Sequence, residues 1–204
     1  MLPNRSVPDV QEKRENYRVY LDQLCEHNFY NDLVFVDESG VNINMERRYR
    51  RAPGGERVVD YAPVNTPVTT TVISAITSDG PLAQATWQGG TTKARLIEWV
   101  KNTLIPSLRP GQIIIWDNLA ARHSKEVVSL LQQARIAVLY TPPYSPDLNP
   151  IEMMWSKMKE ALRKLRIRIA DDLPAAVKEI LEHNITRENC VGWFRKDGYV
   201  QPAA

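Results

Sequence analysis

The sequence predicts an α/β fold, a mixed sheet covered by helices, and three observations carry that prediction. Two short runs that are apolar throughout, Leu33–Val36 and Ile113–Trp116, have the length and composition of strands buried on both faces. A β-branched stretch, Val68–Thr77, runs through Ser78-Asp79-Gly80 into a second extended segment from Pro81 to Trp87, the pattern of an antiparallel hairpin. Beyond residue 90 strand and helix signals alternate, which layers helices onto the faces of a sheet.

Taken in order, residues 9–27 place Val10, Tyr17, Leu21 and Leu24 at helical spacing among charges, a packing helix with no evident chemistry. Leu33–Val36 leads straight into Asp37, Glu38, Ser39 and Gly40; along a strand Asp37 and Glu38 face opposite ways, so only one can join a shared site. Val41–Met45 and Arg48–Ala52 read as further strand, broken by Pro53-Gly54-Gly55. Thr91 or Thr92 caps a helix running to Ile105, with Leu96, Ile97, Val100 and Leu104 inward and Pro106 as its stop. After the strand at 113–116, Val127, Val128, Leu130, Leu131 and Ala134 describe another helix, and Ile136–Tyr140 a strand. Asp171 or Asp172 caps a long helix through Leu181, and Cys190, Trp193 and Phe194 fall in a short aromatic tail.

Between the last strand and that helix lies YTPPYSPDLNPIEMMW, Tyr140 to Trp155. Pro142, Pro143, Pro146 and Pro150 each remove a donor and fix φ, so this is a shaped loop and neither a central strand nor a helix interior. From Pro150 onward Ile151, Met154, Trp155, Met158, Leu162 and Leu165 recur at helical spacing, with Asn149 as N-cap and Pro150 at the first helical position. Two readings of Glu152 compete. Asn149-x-x-Glu152 is a capping-box pattern; equally, Glu152 is a third carboxylate held rigidly to meet Asp37 and Asp117, each of which follows a buried strand where ligands bind in α/β sheets.

The composition limits the function classes. With 204 residues, 43% of them hydrophobic and 25% charged, the chain can bury one substantial core, so we expect a helical extension over 1–32 and a single domain over 33–204. Cys25 and Cys190 are far apart and form no Cys/His cluster, which points away from zinc and disulfides and towards a reducing, intracellular setting. No apolar run approaches the roughly 18 residues of a membrane span, and the N-terminus lacks a signal-peptide core. Net charge is only +2, yet basic residues cluster at Arg47, Arg48, Arg50 and Arg51 and again from Lys157 to Arg168.

Three carboxylates brought together repel one another unless a cation neutralises them. Mg²⁺ and Mn²⁺ prefer oxygen ligands, and a pair of such ions about 3.5–4 Å apart suits phosphodiester chemistry. VFVDESG with Asp37, WDNLAARHS with Asp117 and YSPDLNPIEMMWSKMK with Glu152, in that order and with 34 residues between Asp117 and Glu152, resemble the catalytic domain of mariner-like DDE transposases in their bacterial insertion-sequence branch. The resemblance covers roughly Leu33 to Arg168. It implies a ribonuclease-H-like fold, Asp37, Asp117 and Glu152 as catalytic ligands of Mg²⁺ or Mn²⁺, and DNA cleavage followed by strand transfer.

The same resemblance implies a homodimer or higher assembly on DNA, no membrane, and a cytoplasmic, nucleoid-associated location. His123 matches a family histidine that touches DNA or a metal-bound water, with a plain loop histidine as the competing reading. Asn118 either orients Asp117 or starts the turn, and Asp147 is read as a turn residue outside the catalytic set. Complete members carry a paired helix-turn-helix region ahead of the catalytic part. Only 32 residues precede the first strand here, so no such module is expected, whether the chain is an excised domain, half of a split frame or a decayed copy. Two alternatives stand beside the enzyme: a non-catalytic DNA-binding or assembly module, and a ribonuclease-H-like nuclease on RNA hybrids.

At about 100° per residue, Glu152 stands at the edge of its helix's apolar seam, with Lys159 and Arg163 in the same row; Lys157, Lys164 and Arg168 lie on the other flank. We therefore expect Lys159 and Arg163 to follow a DNA strand leaving the carboxylates. Arg47, Arg48, Arg50 and Arg51 in a strand alternate faces, so one alternate pair contacts phosphate and the other is solvated. Single alanine substitutions at these four positions should separate into two classes by DNA affinity; four equal effects would contradict the alternation.

Overall fold

The computed structural model describes residues 8–26, 29–45, 68–117 and 124–200. Within it the sheet runs β3-β2-β1-β4-β5, with β1 at Leu33–Val41, β2 at Thr70–Ile76, β3 at Pro81–Gln88, β4 at Ile113–Trp116 and β5 at Ala137–Tyr140. β1, β2 and β3 pair antiparallel, whereas β4 pairs parallel to β1 and β5 parallel to β4. The sheet is therefore mixed, as the early hairpin and the later alternation require.

Alternation along β1 and β4 divides the core into two layers. Leu33 and Phe35 of β1 and Ile115 of β4 face one side; Val34, Val36, Ile114 and Trp116 face the other. The first layer is covered by α1 (Pro8–Glu26), α4 (Ile151–Leu165), α5 (Leu173–His183) and α6 (Arg187–Lys196). The second is covered by α2 (Lys93–Trp99) and α3 (Lys125–Gln133). Apolar cover on both faces explains why these strands read as continuous hydrophobic runs.

Local signals fix most of the helix starts. Thr92 accepts from the Arg95 amide at the head of α2, and Ser124 from the Val127 amide at the head of α3. α2 continues through a π turn at Val100–Leu104 and a 3₁₀ turn at Ile105–Ser107, so Pro106 lies inside the final turn where the sequence suggested a clean stop. Residues 42–45 form a turn after β1 and extend no strand, held by the Asn44 amide donating to Asn42 Oδ1. The strand expected over Arg48–Ala52 lies outside the described residues.

Two further expectations are corrected. Cys190, Trp193 and Phe194 belong to α6, a helix opened by a capping box between Thr186 and Asn189, and Cys190 and Phe194 are fully buried. In α4 the apolar seam stops one turn early: Leu162 is buried, but Leu165, on the last turn before the chain reverses at left-handed Arg166, is 58% exposed. Periodicity gives the direction of a side chain, and the end of a helix has nothing left to pack against.

The aromatic core of the first layer joins the C-terminal segment to the central strand. The Phe35 ring meets Phe194 edge-on at 5.2 Å and Tyr199 at 4.7 Å. Truncating a fully buried phenylalanine leaves a cavity, so Phe194→Ala should cost about 3–5 kcal/mol in urea unfolding. A loss under about 1 kcal/mol would mean that α6 is only loosely attached, since surface substitutions have effects of that size.

Candidate active site

Strand register brings the two aspartates together. β4 pairs with β1 as far as Val36 opposite Trp116 and then ends, so Asp37 and Asp117 are the next residues on two adjacent strands. Asp37 is two residues beyond Phe35 and Asp117 two beyond Ile115, which places both on the face that α4 covers. Asp37 is not past its strand, as the sequence suggested: β1 continues to Val41 with β2 as its partner, Asp37 lying opposite Ser74. Glu38 takes the other face, where it accepts from the Thr91 hydroxyl.

The third carboxylate arrives from the loop after β5. The Thr141 amide still bonds to the Trp116 carbonyl at 2.9 Å, and the chain then crosses through its prolines to a 3₁₀ turn, Pro146–Leu148, and into α4. Glu152 stands on the first turn of that helix. Asp37, Asp117 and Glu152 border one cleft of about 440 Å³, whose remaining wall is the loop from Thr141 to Pro146 together with Asn149.

Asn149 does not cap α4. Pro150 takes the N-cap position and offers no side-chain bond, Glu152 bonds to Asn149 only through its backbone amide at 3.0 Å, and the Asn149 Oδ1 is buried without a hydrogen-bond partner. The capping box is thus unformed: the Asn149 amide, which Glu152 would have to reach, bonds instead to the Pro146 carbonyl at 3.2 Å and closes the preceding 3₁₀ turn.

The carboxylates sense one another. Glu152 is exposed at the rim, yet enough protein surrounds its carboxyl for desolvation to raise its pKa above the ordinary value. The charge on Asp37 raises it further, and Lys159 opposes both. Asp37 is held from the core side by the Trp155 indole, whose Nε1–H donates to Oδ2 at 3.2 Å. Among the described residues no three acidic, histidine or cysteine side chains are already gathered into a metal-binding cluster. The donor set nevertheless fits a hard divalent cation: three carboxyl groups on three separate elements around one opening, with the Asp37 charge already acting against that of Glu152.

What holds the loop comes from both ends of the chain, and sequence reasoning missed it. Arg14 of α1 donates to both carboxylate oxygens of Asp147, at 3.2 and 2.7 Å, and to the Ser145 hydroxyl. Ser145 in turn donates to the Pro143 carbonyl at 3.1 Å. From the C-terminal side Tyr199 donates to the Leu148 carbonyl at 2.6 Å, and its hydroxyl meets that of Tyr17 at 3.1 Å. α1, read from sequence as packing alone, is therefore part of the loop's support. A lone arginine in a helix gives no hint of a partner more than 130 positions away.

The basic residues from Lys157 to Arg168 differ in what they touch, and Arg168, which the helical wheel placed on α4, lies beyond its end at Leu165. Lys157 donates to Asn189 Oδ1, Lys164 pairs with Glu160 at 2.7 Å, and Arg168 donates to the Ile43 carbonyl at 2.9 Å. Lys159, by contrast, lies close enough to Glu152 to affect its charge. Arg47, Arg48, Arg50, Arg51, Asn118 and His123 lie outside the described residues.

Comparison with known proteins converges on the same region. Residues 32–174 match the DDE superfamily endonuclease family. The chain is 34% identical over 113 residues to the Tcb1 transposase of Caenorhabditis briggsae, covering 51% of this chain and 40% of that protein. Among solved structures, a pre-cleavage Mos1 transpososome superimposes with a TM-score of 0.79 at 19% identity, covering 96% of this chain and 61% of that one. The Mos1 transposase catalytic domain with raltegravir and Mg gives 0.70 at 18% identity, covering 96% and 91%. The chain thus spans less than two thirds of the Tcb1 transposase and of the Mos1 chain in the transpososome. The fold is the ribonuclease-H-like α/β fold, and with 143 consecutive residues matched the chain belongs to the DDE superfamily endonuclease family.

Proposed function

We propose that this chain is the catalytic part of a mariner-like DDE transposase of the insertion-sequence type, cutting DNA at transposon ends and joining the 3′-hydroxyl to target DNA. The observation that carries this reading is the meeting of Asp37, Asp117 and Glu152 at one cleft, by strand register for the first two and by the proline loop for the third. The family match and the DNA complexes formed by Mos1 transposase support DNA as the partner and an assembly of two or more copies on it.

In this reading Asp37, Asp117 and Glu152 hold Mg²⁺ or Mn²⁺, two ions in all. Solved Mos1 structures with Mg and with Mn support that choice. Bound there, the ions would supply activation of the attacking oxygen and charge neutralisation at the leaving oxygen of a phosphodiester. The protein's own contribution is placement. The paired strands fix the spacing of the aspartates, the Arg14 and Tyr199 contacts fix the loop, and α4 presents Glu152 from a rigid element. Lys159, two turns along α4 from Glu152, and Arg163, one turn further, extend a positive track away from the cleft for the strand's next phosphates.

Neutralising each carboxylate separately, as Asp37→Asn, Asp117→Asn and Glu152→Gln, should reduce Mn²⁺-dependent nicking of supercoiled DNA by at least about a hundredfold, since each removes a ligand from charge stabilisation worth several kcal/mol. Stability in the absence of metal should respond in the opposite sense. Glu152 has a raised pKa in the fold, so its charged form opposes folding above the ordinary glutamate range, and the opposition fades as pH falls below it. Glu152→Gln should therefore be as stable as the parent or more so near pH 7, with the difference vanishing in acid. Undiminished nicking by all three variants would refute the three carboxylates as the catalytic set, and DNA binding by the parent without any metal-dependent nicking would leave a non-catalytic DNA-binding module. Preference for RNA–DNA hybrids over duplex DNA would indicate a ribonuclease.

The path of the DNA can be checked by salt dependence. Lys159→Gln or Arg163→Gln should weaken DNA binding and flatten the slope of log K against log salt by about 0.9 per lost phosphate contact. Lys157→Gln and Lys164→Gln, whose parent side chains are engaged by Asn189 and Glu160, should leave the slope unchanged. Equal losses from both pairs would reduce the helix to a diffuse positive field.

A further inference from the structure

Glu152 is not the only residue of α4 tied to the carboxylates of the cleft. One turn further along the same helix, Trp155 is 2% exposed, packed in the apolar seam with Ile151, Met154 and Met158, and its Nε1–H is directed at Asp37 Oδ2 at 3.2 Å. A buried indole N–H needs an acceptor, and a backbone carbonyl commonly serves: Trp99 on the opposite face donates to the Ala83 carbonyl at 2.7 Å. Trp155 instead donates to a carboxylate oxygen on the central strand. Bonds of this kind to an ionised acceptor are stronger than neutral ones, and a donor held in a packed core restrains the oxygen it binds.

We propose that Trp155 is a positioning residue for Asp37: its indole N–H orients the Asp37 carboxylate for the divalent cation, so that one turn of α4 supplies a ligand, Glu152, and the group that aims another. The inference rests on the metal-binding reading of the cleft given above. Its physical content is coupling. β1 and α4 bring their carboxylates from different elements, and a side-chain bond between them removes a degree of freedom that the ion would otherwise have to freeze. Partners of metal-ligating groups generally change affinity by about 10–100-fold when removed. The competing account is that Trp155 fills the core and its N–H is merely satisfied by the nearest oxygen. That account predicts a dependence on shape alone.

The two accounts separate when shape is kept and the donor removed. Benzothienylalanine at position 155 retains the bicyclic outline and puts sulfur where the N–H stood; Trp155→Phe is the encodable counterpart. Mn²⁺ binding to the whole chain is followed by the electron paramagnetic resonance of free Mn²⁺, with Asp37→Asn as the reference for loss of the ligand itself, and thermal unfolding is recorded without metal. The expected result is Mn²⁺ affinity about 10–100-fold lower for the benzothienylalanine protein at an unchanged Tm. Affinity equal to the parent's would overturn the proposal, as would a loss seen only in Trp155→Phe and accompanied by a lowered Tm, which would assign the effect to packing. A parent that binds no Mn²⁺, or binds it as well after Asp37→Asn, would instead refute the metal site and take the proposal with it.

Discussion

The parallel pairing of β1 with β4, and its termination at Val36 and Trp116, is the constraint on which the rest of the cleft depends. Adjacent strands lie about 4.8 Å apart, so the residues that follow a shared register point are neighbours whatever their separation in sequence. Here those residues are Asp37 and Asp117. Their apolar predecessors leave no freedom to slip, because moving one strand by a single residue would turn that strand's aspartate away from α4 and drive its Phe35 or Ile115 to the wrong layer. Two like charges are thus held side by side by hydrophobic packing beneath them.

Such an arrangement needs something on its open side. The loop from Thr141 to Pro150 meets that need by being stiff: its prolines limit the backbone, Arg14 and Tyr199 hold its 3₁₀ turn, and α4 begins where the loop ends. The support comes from segments outside residues 32–174, the stretch matched to the family. α1 and the C-terminal segment therefore belong to the architecture of the cleft as well as to the core, and Tyr17 and Tyr199 connect the two.

α4 has two tasks that its sequence pattern superposes. Its seam, from Ile151 to Leu162, anchors the helix to the sheet, and its first turn carries Glu152 at the seam's edge. Since seam and edge are about 100° apart on one rigid cylinder, packing of the first fixes the bearing of the second. Burial and the nearby Asp37 charge raise the pKa of Glu152, while Lys159 moderates that effect. A cation between the carboxylates is the simplest relief of their repulsion, which is the physical basis of the proposed chemistry.

The amino-acid sequence by itself determined the elements and their chemistry. Apolar runs specified β1 and β4, β-branched residues the hairpin, helical spacing the seam of α4, and the motifs around Asp37, Asp117 and Glu152 the candidate ligands, because each of these signals is local and periodic. Where a signal depended on a partner, the sequence was silent or misleading. Asn149 and Glu152 have the spacing of a capping box, yet the Asn149 amide closes the preceding 3₁₀ turn and its side chain caps nothing. Cys190 and Phe194 read as part of a tail because the core they join, and the Phe35 ring that Phe194 meets, are distant in the chain. The Arg14–Asp147 fork, the Trp155–Asp37 bond and the exposure of Leu165 were decided only by the folded structure. Each depends on which surfaces meet, and that is a property of the assembled layers that no single stretch of residues encodes.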